Sequence, residues 1–386
     1  MRTSQGKAEP GSRRPAGIIT ALLLLVCIVA TAFYSYMKSV NPSAAIKDLP
    51  KLFQGLGNGS IKEAQVLYRF EYDSSSNPVF ALYDGYIAEC NSGGIWFLDK
   101  KGQIVWSEPI VLDSPILKTG GSRLLAADAG KGEVYVIEGR SVVWNDKVDE
   151  PILNADINED GYVTVITTSK RNNNEIRVYD PHGVGLIRKV IANDFAVSAR
   201  ISPSGKTLAV SGISTGNSAA FSGYKYYDME GNETASASFN GSGEFLPIFW
   251  FSGEKVFAAG DRTIALLDEK GNIVWKEQFK SIAGTAPYGT GSIAAAVEND
   301  KGYSLVLYPV SGEKPASGAL QGKPAGLAAV KGTIAVNTSD TVFFFNNRCK
   351  SFSKYSANTR IKQVRLFDKH QAVVITGNEA IIVNIN

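Results

Sequence analysis

A short unit that recurs along most of the chain constrains its fold more than any other feature. From residue 65 onward the sequence shows alternating strand patterns broken by tight turns, with no amphipathic helix. One copy reads NSGGIWFLDKKGQIVWSEPI at 91–110, and another reads AAGDRTIALLDEKGNIVWKEQF at 258–279. In both, an Asp (Asp99, Asp268) is followed three residues later by Gly (Gly102, Gly271) and then by Ile-Val-Trp. The Asp side chain caps a turn and the Gly accepts a positive φ. Weaker copies align on the strand before that turn, at 94–98, 133–138, 175–180, 221–228, 262–268, 303–309, 340–346 and 378–385. Their starts are 37 to 46 residues apart. A period of about 40 residues with four strands per unit is the signature of propeller blades.

Eight such strands predict an all-β, eight-bladed β-propeller over residues 65–386, with a seven-bladed ring as the alternative. The strands before them, such as Tyr162–Thr167, Ser292–Val297 and Ala372–Thr376, are small or β-branched and suit burial on both faces. The eighth unit reaches Asn386 after its third strand, and Gln65–Tyr72 is a strand without a blade. Pairing the two closes the ring and removes open edges.

Ahead of the repeat, residues 16–37 form an uncharged stretch of 22 residues, AGIITALLLLVCIVATAFYSYM. As a helix it spans about 33 Å, enough to cross a bilayer core. Arg2, Lys7, Arg13 and Arg14 precede it, and Phe33, Tyr34 and Tyr36 gather at its far end. The positive-inside bias places residues 1–15 in the cytoplasm and the propeller outside. The expectation is one N-terminal transmembrane helix in a single-pass membrane protein. The alternative is secretion after signal cleavage at Ala30-Thr31-Ala32. Residues 38–64 read as a stalk with a short helix around Ile46–Leu56, interrupted by Pro50.

Ile201-Ser-Pro-Ser-Gly-Lys-Thr-Leu-Ala-Val210 resembles the S-P-D-G-K hairpin of WD40-like propellers, with Ser204 in place of the usual Asp. The D-x-x-G-x-x-x-W pattern at 99–106 and 268–275 resembles the blade motif of PQQ-like propellers. With the apolar segment, residues 16–386 resemble uncharacterised bacterial membrane-anchored β-propeller proteins. The resemblance implies architecture and no particular activity. The vicinal cysteine pair of quinone-binding propellers is absent, and Cys27 lacks a lipobox.

The residues supply little catalytic chemistry. His182 and His370 both fall in turns, and no G-x-S-x-G, H-E-x-x-H or phosphate-loop pattern occurs. Asp156-Ile-Asn158-Glu-Asp160-Gly161 matches the start of a calcium loop, but its twelfth position is Thr167. The string aligns with the Ser202–Gly205 hairpin one blade later and reads as a turn. No metal and no cofactor are therefore expected. Trp106, Trp144 and Trp275 read as packing on outer strands. Cys90 and Cys349 read as buried thiols, with a disulfide between them as the alternative. Net charge is +3 and the basic excess lies before residue 65, so nucleic-acid binding is not expected.

Two long loops are expected on one rim, at 169–175 in blade 3 and 211–223 in blade 4. They nominate Lys170, Arg171, Asn172, Asn173, Asn174, Ser214 and Asn217 as binding residues. The leading functional reading is an extracytoplasmic binding or scaffold module for a protein or envelope-polymer partner. The alternatives are a ligand sensor working through a membrane partner and a carboxylate-based enzyme acting on glycans or peptides.

Overall fold

The computed structural model describes residues 61–168, 174–191, 194–216, 219–239, 244 and 246–385. The expected transmembrane helix at 16–37 and the stalk helix lie outside the described residues. Among the described residues no helix is long and apolar enough to cross a membrane.

Eight four-stranded antiparallel sheets follow one another along residues 61–385, and one of them carries an added fifth strand. The fold is an eight-bladed β-propeller, and the seven-bladed alternative is ruled out. Blades 1 to 7 occupy 79–108, 115–147, 152–191, 194–239, 248–278, 281–319 and 326–356. Blade 8 takes three strands from 363–384 and its outer strand from Gln65–Glu71. That strand pairs antiparallel with Glu379–Asn384, from Gln65 opposite Asn384 to Glu71 opposite Glu379. The third strands start within two residues of the repeat positions.

The D-x-x-G turn works as its chemistry predicts. In blade 1, Asp99 Oδ1 accepts from the Lys101 and Gln103 amides at 2.8 and 2.9 Å. Gly102 N donates to Asp99 O at 3.0 Å, and Asp99 N donates to Gln103 O at 2.9 Å. This is a type I turn followed by a left-handed residue, and the ladder shifts by one residue just beyond it. Asp180, Asp228 and Asp268 repeat it. In blade 7, Asn346 takes the Asp role and Cys349 the glycine role, with φ +54°.

The core is a series of layers between neighbouring blades. Ile87, Val373 and Ile382 belong to the layer between blades 8 and 1, and Ile176, Ile201 and Leu208 to that between blades 3 and 4. Second and third strands are buried on both faces, as in Thr263–Leu267. Outer strands expose one face, and the recurring tryptophans cover the other. Trp106 stacks on Phe97 at 4.1 Å, Trp144 on Tyr179 at 5.3 Å and Trp275 on Tyr308 at 5.0 Å. Cys90 and Cys349 are free and buried, so no disulfide joins them. Burial pushes their thiols up to about 12 and about 11.

One pairing was not legible in the repeat. Lys62–Glu63 adds to the outer strand of blade 7, Ser351–Ser356, in parallel. Ala64 N donates to Lys354 O at 2.7 Å, and Glu63 pairs with Lys354 at 2.9 Å. Residues 62–64, read from sequence as the end of the stalk, thus pack on the propeller.

Candidate functional site

The rim that carries the blade-to-blade connections and the turns between second and third strands is the one nominated from sequence. Its blade 4 feature is not a loop. Leu208–Gly216 and Ala219–Tyr227 are nine-residue strands paired out to Gly216 opposite Ala219. Ser, Thr and Gly gave 211–223 the composition of a loop, but its backbone groups are satisfied as a hairpin ladder. Ser214 is therefore a strand residue, opposite Asp194 and Phe221. Asn217 lies outside the described residues.

In blade 3, Thr168 pairs with Asn174. Lys170, Arg171, Asn172 and Asn173 lie outside the described residues. Asn174 is buried, not presented on the rim. Its Nδ2 donates to Thr167 O at 3.4 Å, and its Oδ1 accepts from Ala196 N at 2.8 Å. The side chain thus ties blade 3 to the inner strand of blade 4.

The hairpin creates a groove that sequence reading missed. Ala196, Gly212, Gly223 and Ser238 lie opposite one another on the four successive strands of blade 4. A row of small residues across three strand spacings leaves a trough about 14 Å long. It opens into a cavity of 220 Å³ between blades 3 and 4, bordered by Ile191, Asp194, Val210, Lys225 and Tyr227. The next row, Ala199, Val210, Lys225 and Ser236, forms one wall.

Lys225 Nζ sits 2.9 Å from Asp194 Oδ2, and this bond holds the ammonium above its ordinary value. Burial pushes the Tyr227 phenol up, and the Lys189 Nζ lies 4.6 Å from its ring centroid. Ser236 and Ser238 are exposed. The trough therefore offers an apolar floor, a fixed ion pair and hydroxyls along its outer part. A register count from the hairpin tip would have paired Gly212 with Gly223, but only once 211–223 was read as strand.

On the inner strands, Asp156 and Arg200 pair at 2.9 Å between blades 3 and 4. The Arg200 guanidinium lies 5.8 and 5.7 Å from the rings of Phe249 and Trp250. Burial pushes the Asp156 carboxyl up against the pull of Arg200 and Lys118. Asn158 Oδ1 accepts from the amides of Asp160 and Tyr162, so the calcium-like string is a hairpin turn. Among the described residues no group of three or more acidic, His or Cys side chains could hold a metal.

A second cavity, of 280 Å³, lies beside the first connection and is lined by Tyr72, Asp73, Glu89, Asn91 and Trp96. Bonds from Ser75 hold the Asp73 carboxyl below its ordinary value. Burial, and then the charge of Asp73, push Glu89 up.

Residues 58–385 match the model of a family of unknown function, DUF5711. The chain belongs to that family. No curated protein matches it. Among solved structures it is similar to BamB from Moraxella catarrhalis, with 13% identity over 83% of this chain and 99% of that one, at a TM-score of 0.57. Sqt1 of Saccharomyces cerevisiae gives 10% identity over 84% and 100%, at a TM-score of 0.63. The C-terminal WD40 domain of Sif2 gives 12% identity over 85% and 100%, at a TM-score of 0.61. At such identities the likeness is one of fold. The BamB and WD40 neighbours agree with the propeller fold expected from the blade motifs.

Proposed function

We propose that this DUF5711 chain is a binding module whose groove between blades 3 and 4 seats an extended segment of a protein partner. The observation that carries this is the row of small residues Ala196, Gly212, Gly223 and Ser238. A docked chain needs the space that this row of small side chains leaves, although Gly212 is also confined by its own blade, where a Cβ would lie 3.0 Å from Phe195 O. A trough of about 14 Å holds roughly four extended residues. Ser236 and Ser238 supply hydroxyls to its backbone, and Lys225 is a fixed donor. We also assign Lys170, Arg171, Asn172, Asn173 and Asn217 to the binding residues of this reading, on their polar chemistry alone. We place the module on the outer face of a membrane, held by residues 16–37. An envelope polymer is the competing occupant.

A photo-crosslinking side chain at Ser238 tests this in intact cells. It should give protein adducts that disappear when Gly223→Val fills the trough. Adducts unchanged by Gly223→Val, or adducts to polymer alone, would sink the protein-partner reading. Ser238→Cys in a Cys27→Ser background reports orientation, because the other two cysteines, Cys90 and Cys349, are buried. Labelling by a membrane-impermeant maleimide in intact cells is the expected result, and labelling only after lysis would refute it.

A second reading rests on Asp73 and Glu89. One carboxyl held below its ordinary value beside another pushed above it is the pattern of a base and an acid acting on glycosides. Under that reading Glu89→Gln abolishes hydrolysis of envelope glycan fragments by the purified chain. No turnover by the parent protein on any fragment removes it.

A further inference from the structure

The ring closes where the connection from the outer strand of blade 8 to the inner strand of blade 1 crosses the start of the inner strand of blade 8, Gln363–Leu366. Beneath it lies a cavity of 440 Å³ lined by Tyr72, Asn77, Val79, Lys362, Gln363 and Arg365. Asp73, on the same connection, caps Ser75 and borders the neighbouring cavity that holds Glu89. The seam cavity thus has two cations and no acid in its lining.

Arg365 has no carboxylate within ion-pair distance among the described residues. With its amide turned as its neighbours require, Gln363 offers an oxygen that accepts from Nη2 at 2.8 Å and Nε at 3.1 Å. That uses one edge of the guanidinium. The other edge, formed by Nη1 and the remaining N–H of Nη2, is the edge that fits an oxyanion with two parallel bonds. Burial lowers the Arg365 pKa, and no nearby carboxylate offsets it. Arg365 is half-buried, and a partly desolvated charge is stabilised by a ligand that completes its hydrogen bonds. Lys362 stands beside it, its Nζ donating to Gly377 O at 3.2 Å and to Tyr72 Oη at 3.4 Å.

We propose that the seam cavity is an anion site that takes a carboxylate or phosphoryl group of a small ligand on the free edge of Arg365, with Lys362 as the second cation. The cavity is far larger than the anion alone, so the oxyanion is the charged end of a larger molecule. Its lining comes from both ends of the propeller sequence, Tyr72–Val79 and Lys362–Arg365. Occupancy therefore bridges the closure and raises the melting temperature by mass action.

The test uses the full chain in detergent, titrated with sodium phosphate or sodium succinate at ionic strength held constant with sodium chloride. Calorimetry and thermal unfolding are read together. Saturable binding of at least one anion, with dissociation constants on the order of millimolar, is expected. Binding by phosphate alone identifies a phosphoryl ligand, and binding by succinate alone a carboxylate ligand. Arg365→Gln should weaken binding at least tenfold and Lys362→Gln about threefold, as bidentate and single charged contacts imply. The site is overturned if neither anion binds the parent chain, or if both variants bind as the parent does. If Arg365→Gln does not fold, the exposed Lys362→Gln decides, and unchanged affinity there counts against the site.

Discussion

Two glycines with similar backbone angles separate the conformational reason for glycine from the packing reason. Gly139 has φ +62° and a Cβ there would meet open space. Gly102 has φ +83°, and a Cβ would lie 2.3 to 2.7 Å from Phe70 on the closing strand. Gly139→Ala should cost about 1 kcal/mol, the left-handed penalty alone. Gly102→Ala should cost roughly 3 kcal/mol, because Phe70 must also move. Denaturant midpoints at unchanged slope would check both, and equal losses would show that Phe70 yields freely. Glu89 gives a pH-dependent counterpart. The native state holds its proton more tightly than the unfolded chain, so this group costs stability as pH rises through its raised value. Glu89→Gln should therefore be more stable than the parent at pH 7. The advantage should vanish below the ordinary glutamate range, as melting curves at several pH values would reveal.

At the scale of single elements, the hairpin of blade 4 shows where composition misleads. Ser, Gly and Thr read as loop because they satisfy backbone groups locally in most settings. Here a partner strand satisfies them instead, and nothing local in Ser211–Gly223 announces that partner. The third strands of all eight blades were legible: four end in D-x-x-G, at Asp99, Asp180, Asp228 and Asp268, which joins strand and turn signals, and the other four follow from the period of about 40 residues. Asn174 was misread for the converse reason: asparagine is a common rim residue, and its burial follows from the approach of Ala196 on the next blade. The trough was invisible because it needs the register of all four strands of blade 4, and the surroundings of Arg365 and the Asp73–Glu89 contrast because each sets the Tyr72–Pro78 connection against a blade strand. Gly223→Val should leave stability within about 1 kcal/mol of the parent, since valine suits a strand, while emptying the trough of any cross-linked partner. A large loss of stability would mean that the small-residue row serves packing.

For the whole molecule, closure is the decisive event. Leu67, Phe70 and Tyr72 from one end of the propeller sequence pack on the layer built by Val373, Ile375 and Ile382 from the other. Tyr72 Oη donates to Thr376 O at 2.6 Å and lies 3.1 Å from Gly377 O. Tyr72→Phe should cost about 1 kcal/mol, the worth of such a bond. Deleting 61–71 should cost on the order of 5 kcal/mol through lost burial, and should leave Glu379–Asn384 as an open edge that aggregates. Calorimetry with light scattering would show a lower, broader transition. A sharp, unshifted one would mean that the other seven blades hold the ring by themselves.

The short parallel strand Lys62–Glu63 has a mechanical meaning. A pull on residue 61 does not reach the closing strand directly. It first loads the bridge to blade 7, with its Glu63–Lys354 pair and the Ala64 amide on Lys354. That bridge is a strain relief, like the clamp on a cable. It holds two paired residues against six in the closing strand, so tension from the N-terminal side should be spent on those two before any blade opens.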